Sequence, residues 1–163
     1  MANDVVVYTY VVADLLHIGH LRCLQQAKAL GDYLIVGVLT DEATAAYKRA
    51  PTIPFEERME LVSSVRCVDK VIKQDSLDPT ENIMLLHPDI VTHSHDENEE
   101  FPGADVEALM KKLGGKAVRT NYYPGTSTTA IINRIMKQQS SRAIRINYCP
   151  RTSVAVTTNR IGK

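Results

Sequence analysis

The chain reads as an α/β fold, a Rossmann-like doubly wound sheet of five parallel strands with helices on both faces. Three observations lead there. Short β-branched runs alternate with stretches of helical period, the first run is apolar at every position as a strand buried on both faces must be, and 163 residues suffice for one such domain. Strands that alternate with helices join by right-handed crossovers and lie parallel, and such a sheet holds its ligand at the carboxyl ends of the strands, where the strand order reverses.

The elements follow in order. Val5, Val6, Val7 and Tyr8 form the first strand, and Ile18, Leu21 and Leu24 recur at helical spacing until Gly31 stops the run. Tyr33 to Leu39 is the second strand, after which Thr40-Asp41-Glu42 reads as a helix cap with acids in its first turn. Lys48 to Pro54 is a loop carrying two cations, because Pro51 and Pro54 remove donors and restrict the residues before them. Phe55 to Arg66 is helical, with Met59, Val62 and Val65 on one side, and Val68 to Ile72 is the third strand. A short helix spans Pro79 to Leu86, and a fourth strand Asp89 to Thr92, followed by His93-Ser94-His95-Asp96. After a turn-rich acidic loop come a helix from Ala104 to Leu113, a strand from Lys116 to Arg119, and a last helix from about Ser127 to Lys137. Ile131, Ile132, Ile135 and Met136 are expected to be the buried stripe of that helix. Residues 1–139 thus form the domain. Residues 140–163, rich in Ser, Thr, Arg and Asn without a sustained period, read as a loosely ordered tail.

Composition narrows the classes of function. Nineteen basic and nineteen acidic residues cancel, so nothing pulls the whole chain toward nucleic acid or a membrane surface, and any anion site must be local. Cys23, Cys67 and Cys149 are odd in number and scattered, which fits free thiols in a reducing cytoplasm. The N-terminal apolar run is too short for the ~20 residues of a membrane helix.

The junction of the first strand and helix, Val11 to Leu21, is where chemistry is expected. A helix starting near Ile18 aims its free N–H groups and its positive dipole end beyond the strand. His17 and His20 add ring donors there, and Gly19 admits close approach to the backbone. This is a site for a polyphosphate. A second cradle opens at Gly125-Thr126-Ser127-Thr128, before the last helix. Alternate histidines at His93 and His95 also have the spacing of metal ligands on a strand, yet no metal site is assigned.

These stretches, taken together and in order, resemble the cytidylyltransferases of the His-x-Gly-His nucleotidyltransferase superfamily. The resemblance rests on Asp14-Leu-Leu-His-Ile-Gly-His20, Gly31 to Val38, Thr40-Asp-Glu42, Lys48, Glu57-Arg58, Arg66-Cys-Val-Asp69 and Gly125-Thr-Ser-Thr-Thr129, over about residues 4 to 137. It implies that His17, His20 and Lys48 carry catalysis, with Lys48 bridging the phosphates of both substrates. It implies that Asp14, Gly19, His95, Asp96, Gly125, Ser127 and Thr128 serve the nucleotide, with Asp14 orienting the site or helping to hold magnesium. Arg58 would line the acceptor site with Lys48, and the stretch around Arg66 would lie near a homodimer interface. The expected substrates are CTP, with Mg2+, and a small phosphate or phosphonate monoester such as ethanolamine phosphate, glycerol 3-phosphate or 2-hydroxyethylphosphonate. The products are a CMP ester and pyrophosphate. Since His-x-Gly-His does not read the base, an adenylyltransferase is the first rival, and a nucleotide-binding protein without turnover the second.

The sequence departs from the family pattern in three places. Val11-Val-Ala-Asp14 stands for Gly-x-Phe-Asp, and Ser94 and His95 stand in a Gly-Asp-Asp or Gly-Asn-Asp stretch. Tyr122-Tyr-Pro-Gly125 stands for Arg-Thr-x-Gly, removing an arginine that would grip the triphosphate; Arg119 could replace it if the loop folds back.

Overall fold

The computed structural model describes residues 4–95 and 105–141, and the side chains of His95, Ser140 and Ser141 lie outside the description. Five parallel strands, β1 (Val6–Val11), β2 (Tyr33–Leu39), β3 (Lys70–Gln74), β4 (Ile90–His95) and β5 (Lys116–Asn121), form one sheet in the order β3-β2-β1-β4-β5. The order reverses beside β1, which pairs with β2 on one side and β4 on the other. Its start is pinned from both neighbours: the Val5 N–H donates to the Asp32 carboxylate and the Val6 N–H to that of Asp89.

Both faces of the sheet are covered. Val7, Leu34, Val36 and Val38 pack with Leu24 and Ala27 of α1 (Ile18–Lys28) and Val62 of α3 (Phe55–Ser63). On the other face Tyr8, Tyr10, Ile35, Leu39 and Val91 pack with Ile83 of α4 (Thr80–Leu86) and with Val106 and Met110 of α5 (Val106–Lys112). This arrangement explains why β1 and β2 carry almost no polar residues: each side chain, whichever way it points, enters a core. The buried hydroxyl of Tyr8 is met, since Tyr8 Oη donates to Gln74 Oε1 and accepts from Asn82 Nδ2.

Several boundaries move from where periodicity puts them. Val68 N–H still donates to Val65 O as part of the turn after α3, so β3 begins two residues later, at Lys70. The strands β4 and β5 run on to His95 and Asn121 because they pair with each other through that register, which places His93 inside a strand. The stripe expected on α6 (Thr128–Ser141) is not buried: Ile131 and Ile132 are half-buried, while Ile135 and Met136 are 45% and 57% exposed. The physical reason is that α1, α3, α4 and α5 already cover both faces of the sheet, leaving α6 to meet the domain through its first turns. The helix also takes in Ser140 and Ser141, which the sequence assigned to the tail; the rest of that tail lies outside the described residues.

Candidate active site

The chain leaves β1 under backbone strain. Ala13 and Leu15, on either side of Asp14, both sit at positive φ, 57° and 49°, which costs a side-chain-bearing residue of order 1 kcal/mol or more. This double reversal turns Asp14 inward, where it is almost wholly buried, and delivers His17 as the N-cap of α1.

The two histidines form a capping box between themselves. His17 Nδ1 accepts the Gly19 N–H at 3.1 Å, and His20 Nδ1 accepts the His17 N–H at 3.3 Å. With Nδ1 acting as acceptor in each ring, the ring proton sits on Nε2. Burial lowers both pKa values, that of His20 to about 4 with further help from His17 and Lys48, so both rings are neutral donors at pH 7. Their centroids are 4.0 Å apart. Gly19 has no room for a side chain: a Cβ would stand 2.8 Å from the His17 ring and 3.2 Å from Thr126 O. The glycine therefore lets the start of α1 close on the loop before α6.

That loop supplies the second helix start. Gly125, at φ +97°, makes the turn, and Ser127 caps α6 by accepting the Ala130 N–H on Oγ at 3.1 Å. Thr128 Oγ1 donates to the Asp14 carbonyl at 2.8 Å, tying the second helix start to the first.

Lys48 arrives from the other side. After α2 (Asp41–Ala45), capped by Thr40, its N–H still donates to Thr44 O, and its ammonium lies 5.0 Å from the Tyr47 ring centre. Burial, and then Arg49, lower its pKa, while Asp14 acts in the opposite direction. The loop that follows is clamped by Asp14. Its carboxylate accepts Arg49 Nη2 at 2.7 Å and the N–H groups of Thr52 and Ile53 at 3.0 and 3.1 Å. Burial opposes its ionisation, but these donors outweigh it and its pKa falls below the usual carboxylate range.

A cavity of about 680 Å³ opens at the carboxyl end of β1. His17, Gly19, His20, Ser127, Thr128 and Lys48 all line it, with Thr126, Thr129, Cys23 and Ser94. Tyr122, at the position of the family's arginine, lines it too, and Tyr10, Tyr47 and Tyr123 complete an aromatic wall; sequence reasoning missed those three, because Tyr10 lies in an apolar run and the others in loops without a period. Cys23 had a findable signal, standing one helical turn beyond His20.

Three expected contacts are corrected. Arg58 is 0% exposed and does not line the cavity; its guanidinium donates to Ile53 O at 3.0 Å, to Val12 O and to Asp41 Oδ1 at 2.6 Å. A buried cation so fully bound holds the Lys48 loop and α2 against β1 rather than a substrate. Asp14 likewise lies outside the lining, and its oxygens, taken by a guanidinium and two amide N–H groups, do not fit a magnesium ion, which needs the same lone pairs. Arg119 is half exposed, lies outside the lining and pairs with Glu107 at 3.6 Å. Gly125 acts through its turn and is not itself in the lining. His95 ends β4 with its side chain undescribed, and Asp96 lies outside the described residues. Among the described residues no cluster of three His, Cys, Asp or Glu could hold a metal, and no helix is long and apolar enough to cross a membrane.

Two helix starts, two neutral imidazoles and a lysine around one cavity at the switch point of a doubly wound sheet define a nucleotidyltransferase-type site. Residues 9–134 match the cytidylyltransferase-like family model, and the chain belongs to that family. It is 38% identical over 126 residues to ethanolamine-phosphate cytidylyltransferase of Arabidopsis thaliana, covering 74% of this chain and 30% of that one. It is 38% identical over 106 residues to FAD synthase of Archaeoglobus profundus, covering 65% of this chain and 68% of that one. Among solved structures, the lipopolysaccharide core biosynthesis protein of Thermoplasma volcanium superposes with a TM-score of 0.66 at 30% identity, covering 74% of this chain and 99% of that one. The chain thus spans less than a third of the length of the plant cytidylyltransferase.

Proposed function

We propose that this domain transfers CMP from CTP to the phosphate or phosphonate group of a small acceptor such as ethanolamine phosphate, glycerol 3-phosphate or 2-hydroxyethylphosphonate, releasing pyrophosphate. The observation that carries the reading is the convergence of the His17 and His20 Nε2–H donors, the capped start of α6 and Lys48 on one cavity. An oxygen of the acceptor attacks the α-phosphorus, forming a new P–O bond. The bond to the bridging oxygen of the β-phosphate breaks, and its electron pair leaves with pyrophosphate. The acceptor oxyanion is itself the nucleophile, so no general base is needed; what the step needs is donors for the accumulating charge and alignment in line.

The roles divide by position. The imidazoles and the two helix starts hold triphosphate oxygens, and the free O–H of Ser127, whose lone pair serves as the cap, adds a donor. Lys48 lies between the phosphates of the two substrates and draws them together against their mutual repulsion. Asp14 and Arg58 hold the loop that carries it. Magnesium belongs to this reading as the counter-ion of the triphosphate, and a homodimer as two copies meeting near the exposed Arg66. The free thiols Cys23 and Cys67 accord with a cytoplasmic setting.

The similarity to an FAD synthase supports a second reading, nucleotidyl transfer from a triphosphate other than CTP on the same site. Pyrophosphate release with CTP or ATP against a panel of phosphate and phosphonate monoesters separates the two, with the CMP ester identified by mass. His17→Ala and His20→Ala should each lower turnover more than ~100-fold with the fold intact, since one positioned donor is worth roughly 3 kcal/mol in such a transition state. Release with ATP alone, or unchanged rates in both variants, would sink the assignment.

A further inference from the structure

Tyr8 and Tyr10 stand two apart on β1, point to the same face of the sheet, and are treated differently by the rest of the chain. The Tyr8 hydroxyl is bound by Gln74 and Asn82. The Tyr10 hydroxyl, equally buried with only 1% of the residue exposed, has no hydrogen-bond partner among the described residues. A buried hydroxyl without a partner is uncommon and costs stability, so one that persists next to a ligand cavity signals a partner that comes with the ligand. Tyr10 lines the cavity, whereas Tyr8 does not. Its ring cannot swing away: it stacks on Tyr8 at 6.1 Å and on His93 at 4.4 Å between centroids. Burial, with Tyr8 and Asp78 nearby, raises its pKa, so the phenol keeps its proton and remains a donor.

The surroundings say what it would touch. Leu39 and Leu77, which pack in the same cluster as Tyr10, line the end of the cavity that the segments following β2 and β3 supply, together with Tyr47 and Lys48. That end offers one cation for an anionic head, two leucines for an alkyl body and the Tyr10 hydroxyl, and among the described lining residues no Asp or Glu that would receive an ammonium. We infer that Tyr10 is the specificity-determining residue of the acceptor site, its hydroxyl hydrogen-bonding an uncharged hydroxyl group on the body of a short alkyl phosphate or phosphonate whose anionic head meets Lys48. The inference deepens the reading of this cavity as a CTP-and-acceptor site, and rests on it.

The test compares three probes, 2-hydroxyethylphosphonate, ethylphosphonate and 2-aminoethylphosphonate, titrated calorimetrically into the wild-type chain and Tyr10→Phe. The wild type should bind the hydroxyethyl compound roughly tenfold more tightly than the ethyl one, the worth of one hydrogen bond, and more tightly than the aminoethyl one. Tyr10→Phe should bind the hydroxyethyl and ethyl compounds alike. Its melting temperature should equal or exceed that of the wild type, since the change deletes a partnerless buried hydroxyl. No preference in the wild type, including failure to bind any probe, overturns the inference. So does a preference that survives in Tyr10→Phe, and aminoethyl binding as tight as hydroxyethyl overturns the uncharged-hydroxyl assignment. Pyrophosphate release with CTP is read on the same samples: the preference without release leaves Tyr10 in its role and refutes the transferase reading instead.

Discussion

Asp14 and Arg49 meet at 2.7 Å, joining the strained end of β1 to the residue that follows Lys48. Asp14 is buried and Arg49 is half exposed, so the pair is anchored at one end and adds little to global stability by itself. Its effect is on position: Lys48 sits one residue away, and the same carboxylate grips Thr52 and Ile53.

Arg49→Ala should therefore lower kcat/KM for the acceptor roughly fivefold to tenfold while leaving the melting temperature nearly unchanged, and should add almost nothing in a Lys48→Ala background. Groups that act through one another couple in a double-mutant cycle, whereas independent ones add. Steady-state kinetics on the four proteins decide it, and additive losses would refute the positioning role.

Arg58 should show the opposite signature. Truncating it leaves the Val12 and Ile53 carbonyls without that donor, while Asp41 is part exposed and keeps the Phe55 N–H, so the loss should be about 1–3 kcal/mol, the cost of polar groups left unmet. Arg58→Lys should recover only part, because an ammonium cannot span three acceptors as a planar guanidinium does. Urea unfolding measures both; a weakened acceptor KM with unchanged stability would restore the direct contact that the sequence suggested.

The fates of Arg58 and the histidines mark what the sequence made legible. His17, His20, Lys48, Ser127 and Thr128 come together because each belongs to a local pattern, a strand end followed by a helix start, whose direction is set within a few residues. The five-strand alternation was legible for the same reason, since periodicity is local and parallel pairing follows from the helices between. Arg58 was misplaced, and the particular clamp that Asp14 makes was not legible, because partners of a buried charge lie far away in the chain: Val12 is 46 residues from Arg58, and Thr52 is 38 from Asp14. No spacing rule reaches that distance. Tyr10 was hidden differently, as one more apolar-looking residue in a strand where only the missing partner distinguishes it from Tyr8. The α6 stripe failed because helical period reports an apolar face without reporting whether any core is left for it to cover.

His20 links the site to pH. Its pKa in the folded chain is about 4 against 6.5 in the unfolded chain, so between those values the unfolded state binds more protons and stability falls as pH is lowered. The change from pH 7 to pH 5 should amount to about 2 kcal/mol from this group. Urea unfolding at the two pH values, in the wild type and in His20→Gln, isolates it. The glutamine variant should lose that part of the slope, and an unaltered slope would show that His20 titrates like an exposed imidazole.

Tyr122 stands where the family pattern has an arginine, and the structure places it on the cavity wall, 43% exposed. Arg119, the residue considered as a replacement for the missing guanidinium, pairs with Glu107 and lies outside the lining. The two facts together favour one outcome. Tyr122→Arg puts a planar five-donor group beside the two helix starts, where a bidentate, charge-assisted contact to phosphate is roughly twice as strong as a neutral one, so CTP should bind severalfold more tightly. Because the position is part exposed and makes no core contact, the substitution should leave stability within about 0.5 kcal/mol. Arg119→Ala should leave CTP affinity unchanged. Calorimetric titration of CTP into both variants is the measurement. Weaker binding in Tyr122→Arg would mean that the phenol, and not the lost guanidinium, is what this site uses on the nucleotide. Weaker binding in Arg119→Ala would mean that the β5 loop rearranges around the triphosphate and carries Arg119 away from Glu107.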